Sequence, residues 1–306
     1  MSLALDIGSR VQAGYNPPWR GADRAPPPPP GAGKATAAPR FDAGDLYGKG
    51  APSACDIKQD ALGDCYFVAT MGALANKRPD LIQNAIRYDA NTGTYQVRLY
   101  QDGKPVTVTV TQSELAYNLN RQGGSTVDNT GRDQRVWPAV IETAYAKQLD
   151  SNPADGLKEG FDILGGGGKA RDALEVLTGD KGTDYSFSRG FFESRGDALS
   201  RLGQQAQTAL ANGRPLTLST DPENRSLWQH ITGDQGKQDG LVDNHVYVVE
   251  SVTKVGDDYQ VTLRNPWGTN QGVGEGKDST SATITVSLSE LVETGGLEYF
   301  NAGPAN

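Results

Sequence analysis

Cysteine is nearly missing from this chain: Cys55 and Cys65 are the only two in 306 residues. Two thiols so close together make no disulfide framework, and the absence of a CxxC or Cys/His cluster excludes the usual zinc sites. Histidine is as scarce, so any chemistry that needs an imidazole must choose between His230 and His245. Long apolar runs are absent too. VYVVESV, among the longest, falls far short of the roughly 20 residues that span a bilayer. The N-terminus has no basic region followed by an apolar core, so no Sec-type signal is expected. Nor is positive charge in excess: 29 Lys and Arg stand against 37 Asp and Glu, a net charge of -8 without a basic cluster. That excludes a nucleic-acid footprint. The expectation is a soluble protein without a transmembrane segment, cytoplasmic or exported by a leaderless route. Composition and length suit one large globular unit or two lobes with a shared cleft.

What is present divides the chain in three. Residues 1–50 hold five consecutive prolines, Pro26 to Pro30, and show neither helical nor strand periodicity. They read as a disordered Pro/Ala/Gly-rich tail, a spacer or a segment that binds a partner. Residues 51–213 read as mainly helical. The segment VWPAVIETAYAKQL places Val136, Val140 and Ala144 on one row and Trp137, Ile141, Tyr145 and Leu149 on the next, with Pro138 tolerable in a first turn. Further helices are expected over Lys169 to Leu177 and Asp197 to Ala211. A hairpin interrupts them, TYQVRLY and PVTVTVT turning around Asp102 and Gly103. From Arg214 the period changes to two, through PLTLST, HVYVVESV, YQVTLRN, SATITVS and LEYFN, so residues 214–306 read as β-rich. A helical part followed by a sheet part is the pattern of an α+β protein, and the boundary between two lobes is a common ligand site.

Cys65 stands in the run GDCYFVATMGALA. Asp64 is a natural cap, which puts Cys65 in the first turn of a buried helix, where unpaired N–H groups and the helix dipole favour a thiolate. A core cysteine at a helix start is the bland alternative. A nucleophile needs a base, and His230 lies in a polar stretch, whereas His245 begins a strand. If the turn after that strand centres on Gly256 and Asp257, paired positions sum to about 513, and His245 faces the segment Asn265 to Gly268 within a few residues. Asn265 can then accept the ring N–H and fix the tautomer, as Cys/His/Asn hydrolases require, with Trp267 covering that bond from water. The run GGGGK at Gly165 to Lys169 lacks the spacing of a phosphate loop and reads as a turn.

The blocks QDALGDCYF, VWPAVIETAYAKQL, KEGF, GLVDNHVYVVESV, VTLRNPWG and TVSLSELVETGGLEYFN resemble, in order and approximate spacing, the calpain-like cysteine protease core over about Ala51 to Asn301. The resemblance implies a papain-like two-lobed fold. It implies a cysteine endopeptidase that hydrolyses protein substrates through a thioester acyl-enzyme. Cys65 would be the nucleophile, His245 the base, Asn265 its orienting partner, Gln59 an oxyanion donor and Trp267 a shield. It implies no organic cofactor but a calcium ion, held by Asp56 and Glu159 with backbone carbonyls near Gly50 and Ala51. The chain departs from the pattern at Asp60 and Tyr66, where the family usually has Gly and Trp. The loop TNQGVGEGKDSTSA lacks the family's acids for a second calcium site, and there is no EF-hand loop. An acyltransferase built on the same triad and an inactive binding module are the alternative functions; the oligomeric state is not legible.

Overall fold

The computed structural model describes residues 40–59, 62–120, 135–152, 154, 156–221, 239–271 and 279–305. The proline-rich stretch, Asp60, His230 and residues 272–278 of the loop after RNPWG lie outside them. Residues 40–50, expected in the tail, are ordered instead. Helix α1 (Ala43–Tyr47) opens on a capping box at Asp42, and Phe41 and Leu46 insert into the core. A five-residue helix beside a proline-rich segment is too short to announce itself by periodicity; the two apolar anchors hold it.

A short 3-10 turn (Ala54–Asp56) leads to α2 (Cys65–Lys77), which is buried from Tyr66 to Ala75. Its small residues allow burial on every side. A Cβ added at Gly72 would stand 2.9 Å from Val248 Cγ2, so this glycine lets α2 approach the sheet. Next come α3 (Pro79–Ala85) and a three-stranded antiparallel sheet of β1 (Ile86–Asp89), β2 (Thr94–Gln101) and β3 (Lys104–Val110). The β2–β3 turn pairs Gln101 with Lys104 across Asp102 and Gly103, both at positive φ, as a two-residue hairpin loop demands. Helices α4 (Gln112–Asn120), α5 (Trp137–Leu149), α6 (Lys158–Leu164) and α7 (Ala170–Thr178) complete this half.

The second half is a six-stranded antiparallel sheet in the order β4-β9-β5-β6-β7-β8. Its strands are β4 (Thr183–Tyr185), β5 (Leu216–Thr220), β6 (Val246–Val255), β7 (Asp258–Arg264), β8 (Thr283–Ser287) and β9 (Leu297–Ala302). Helices α8 (Arg195–Ala211) and α9 (Leu288–Thr294) contribute to its core. The described residues thus form an α+β structure with two hydrophobic cores. Leu202, Ala206 and Leu210 of α8 pack in the second core, so the division between cores falls after α7 and not at residue 213. The reason is the amphipathic face of α8, which the adjoining sheet covers.

Strand β6 is the seam. Val246 and Val248 belong to the first core, while Tyr247, Val249 and Val252 belong to the second. A strand buried on both faces loses its alternation, which is why VYVV reads as a continuous apolar run.

Candidate active site

Cys65 is the first residue of α2, and close packing of that helix on β6 brings its thiol to the Val246 backbone N–H, which hydrogen-bonds to it. Val246 follows His245. The segments predicted to carry nucleophile and base therefore meet where α2 crosses the start of β6.

His245 is fixed from three sides. Thr220 of β5 holds its backbone: the His245 N–H donates to Thr220 Oγ1 at 3.0 Å, and the Thr220 N–H donates to the His245 carbonyl at 3.0 Å. The Tyr247 ring stands edge-on to the imidazole at 4.9 Å and the Trp267 ring covers it at 5.0 Å. Asn265 Oδ1 lies 3.0 Å from His245 Nε2. The Trp267 N–H donates to the same Oδ1 at 3.1 Å, and Asn265 Nδ2 donates to Asn270 Oδ1 at 3.3 Å. An oxygen that accepts from Trp267 can only accept from the ring as well, so Nε2 carries the hydrogen and Nδ1 keeps a lone pair. Asn270 is itself buried and donates to the Ser281 carbonyl at 2.9 Å. The sequence reading missed Thr220 and Asn270, since neither sits in a motif and both act across strand pairs.

The hairpin register follows the expected sum from Val255↔Asp258 to Ser251↔Thr262, then shifts by one at a bulge between Val249 and Ser251. The shift leaves Asn265 within hydrogen-bond reach of His245. Two further bonds join the elements of the site. The Gln59 N–H donates to the Pro266 carbonyl at 2.7 Å, and Arg264 Nε donates to the Ala54 carbonyl at 3.2 Å.

The electrostatics depart from the expectation of an acidified thiol. Burial, with the neighbouring Asp64 carboxylate adding to it, pushes Cys65 up to about 12 against the opposing Val246 N–H. Burial also lowers His245 to about 4, against the Asn265 hydrogen bond that favours its charged form. Both groups rest neutral at pH 7. Asp64 makes no side-chain cap; its Oδ1 accepts from Gln59 Nε2 at 3.2 Å. The other Nε2 bond of Gln59 runs to the Leu62 carbonyl at 2.7 Å, so both amide hydrogens serve the turn before Cys65. An oxyanion role requires Gln59 to release one of them. The glycine run lies against Tyr66: a Cβ at Gly168 would meet its ring at 2.6 Å, which accounts for glycine there as close packing.

The predicted calcium ligands are engaged by protein donors. Asp56 Oδ1 accepts from Arg135 Nη1 at 2.8 Å, and Oδ2 accepts from Trp137 Nε1 at 2.8 Å and the Ser53 N–H at 2.9 Å. Glu159 Oε2 accepts from the Ser151 N–H and hydroxyl at 2.9 and 2.8 Å, which holds its carboxyl below the usual range. Among the described residues, no group of three or more His, Cys, Asp or Glu is arranged to hold a metal. The donor set as it stands does not fit a calcium cage.

A family profile described as calpain family cysteine protease matches residues 42–290. The chain belongs to that family. It is 28% identical to calpain-5 of Mus musculus over 272 residues, covering 79% of this chain and 38% of that protein. It is 24% identical to the calpain-1 catalytic subunit of Gallus gallus over 253 residues, with 80% and 32% covered. To calpain clp-4 of Caenorhabditis elegans it is 29% identical over 227 residues, with 70% and 27% covered. The chain thus spans about a third of the length of these relatives. Membership places these residues in the calpain cysteine protease family, on the α+β papain-like fold. Among the described residues no helix is long and apolar enough to cross a membrane.

Proposed function

We propose that this calpain-family chain is a cysteine endopeptidase in which Cys65 attacks the carbonyl carbon of a peptide bond in a protein substrate. The observation that carries the reading is the pairing of His245 Nε2 with Asn265 Oδ1 at 3.0 Å beneath Trp267, with the Cys65 thiol at the adjoining Val246 N–H. With Nε2 protonated by that pairing, Nδ1 is the nitrogen that accepts the thiol proton as sulfur adds to the carbonyl. The Cys65 backbone N–H, with Gln59 once it releases Leu62 or Asp64, would donate to the oxyanion. His245 then returns the proton to the leaving amine and the thioester forms. Water, deprotonated by His245, hydrolyses it and restores the thiol.

No step above needs a metal. Family membership accommodates calcium, yet the two carboxylates expected to hold it already accept from protein donors. An amine in place of water at the last step would make the chain an acyltransferase, and no observation favours that reading.

The test is mass-spectrometric labelling with a thiol-directed peptidyl epoxide in a Cys55→Ser background, since Cys55 is exposed and would label on its own. Labelling of Cys65 should fall by about 100-fold or more in His245→Ala, the usual size of lost general base catalysis. Equal labelling with and without His245 would leave Cys65 a packing residue and overturn the proposal.

A further inference from the structure

Four donors were expected around a cation near the start of the first core: the carboxylates of Asp56 and Glu159 and the carbonyls near Gly50 and Ala51. A positive charge already stands between two of them. Arg135 Nη1 lies 2.8 Å from Asp56 Oδ1 and 3.5 Å from the Ala51 carbonyl oxygen. Its Nη2 lies over Gly50, where an added Cβ would come within 3.1 Å of it. We propose that Arg135 is the resident cation of the segment 50–57, holding with a tethered guanidinium the carboxylate and carbonyl that a calcium ion would otherwise bring together.

The physical case rests on the burial of Asp56, whose side chain is 5% exposed. A carboxylate that deep needs a counter-charge and hydrogen bonds to both oxygens, because desolvation otherwise disfavours its charged form. It has them: Arg135 supplies the charge, and Trp137 Nε1 and the Ser53 N–H fill Oδ2. Calcium takes about six to eight oxygen ligands and would have to share Oδ1 with a like charge or displace it. Arg135 is also anchored through its chain, for the next residue, Val136, donates its N–H to the Asp45 carbonyl at 3.0 Å and caps α5. A tethered cation needs no free ligand concentration. The 3-10 turn that ends at Asp56, and the path from it to Gln59, are then ordered by the chain itself at any calcium level.

This inference concerns order in the segment and does not rest on proteolysis, so its test reads no activity. Hydrogen–deuterium exchange of the full chain, as Cys65→Ala to prevent self-digestion, would be followed over residues 50–57 in calcium and in chelator. With Arg135 intact the two rates should be equal. In Arg135→Ala the same amides should exchange about tenfold faster or more, the effect expected on losing a charge-assisted bond to a buried carboxylate. Slower exchange in calcium with Arg135 present, abolished by Asp56→Asn, would overturn the proposal. Unchanged exchange in Arg135→Ala would also overturn it. Should that variant not fold, the calcium comparison with Arg135 intact decides alone.

Discussion

Asn265 depends on a residue that no motif contains. Its amide is held at both ends, by His245 and Trp267 on Oδ1 and by Asn270 on Nδ2. Asn270 is therefore a positioning residue. Asn270→Ala should lower kcat about tenfold with little change in KM, whereas Asn270→Asp, which keeps the acceptor, should fall less. An equal loss in both variants would mean general destabilisation. Cys65 makes a second prediction. With burial holding its thiol up at about 12, alkylation of Cys65 in the Cys55→Ser chain should still be accelerating near about pH 9. A plateau near neutrality would instead reveal a thiolate–imidazolium pair. At this scale the meeting of His245 with Asn265 was legible, because the turn after β6 sets the strand register to within a residue. The protonation balance was not. It is set by burial first, then by the Val246 N–H and Asp64, and of these only Asp64 stands beside Cys65 in the sequence.

Strand β6 and helix α2 set the geometry between them. Gly72 is a point of close approach between them, 2.9 Å from an added Cβ to Val248 Cγ2. Gly72→Val should therefore force the helix off the strand. The expected cost is ~1–3 kcal/mol in urea unfolding, with slower Cys65 labelling than that loss of folded protein explains. Normal labelling of the folded fraction would show that α2 can shift without disturbing the thiol. The elements with strong period were readable: α5, α7, α8 and the two long hairpins lie within a residue or two of their expected spans. Those without it were not. The β4 strand is three polar residues, TDY, that exist by pairing with β9. The bulge between Val249 and Ser251 leaves no trace in an apolar run, and α1 is held by Phe41 and Leu46 beside a proline-rich stretch.

On the scale of the whole molecule, the neutral burial of His245 couples folding to pH. An unfolded histidine takes its proton near about 6.5, and the folded one does so only at about 4. Between these values the unfolded state binds more protons, so stability should rise with pH through the window and fall on acidification. The contribution is roughly 3 kcal/mol, read as the difference in acid destabilisation between the parent chain and His245→Gln. If both lose stability in parallel between those two pH values, the histidine is not held neutral by the fold. The two-core plan was legible from the change of period near Arg214, but its true division after α7 was not, since α8 carries a helical pattern while packing in the second core. The order of the parts along the chain also has a temporal meaning. Cys65 is made early, while His245, Asn265 and the Pro266 carbonyl that receives the Gln59 N–H are made late. At about 5–20 residues per second, roughly ten seconds or more of synthesis separate the thiol from its base. A nascent chain that stops short of β6 thus carries the thiol without the imidazole, and under the proposed mechanism it could not cut its neighbours.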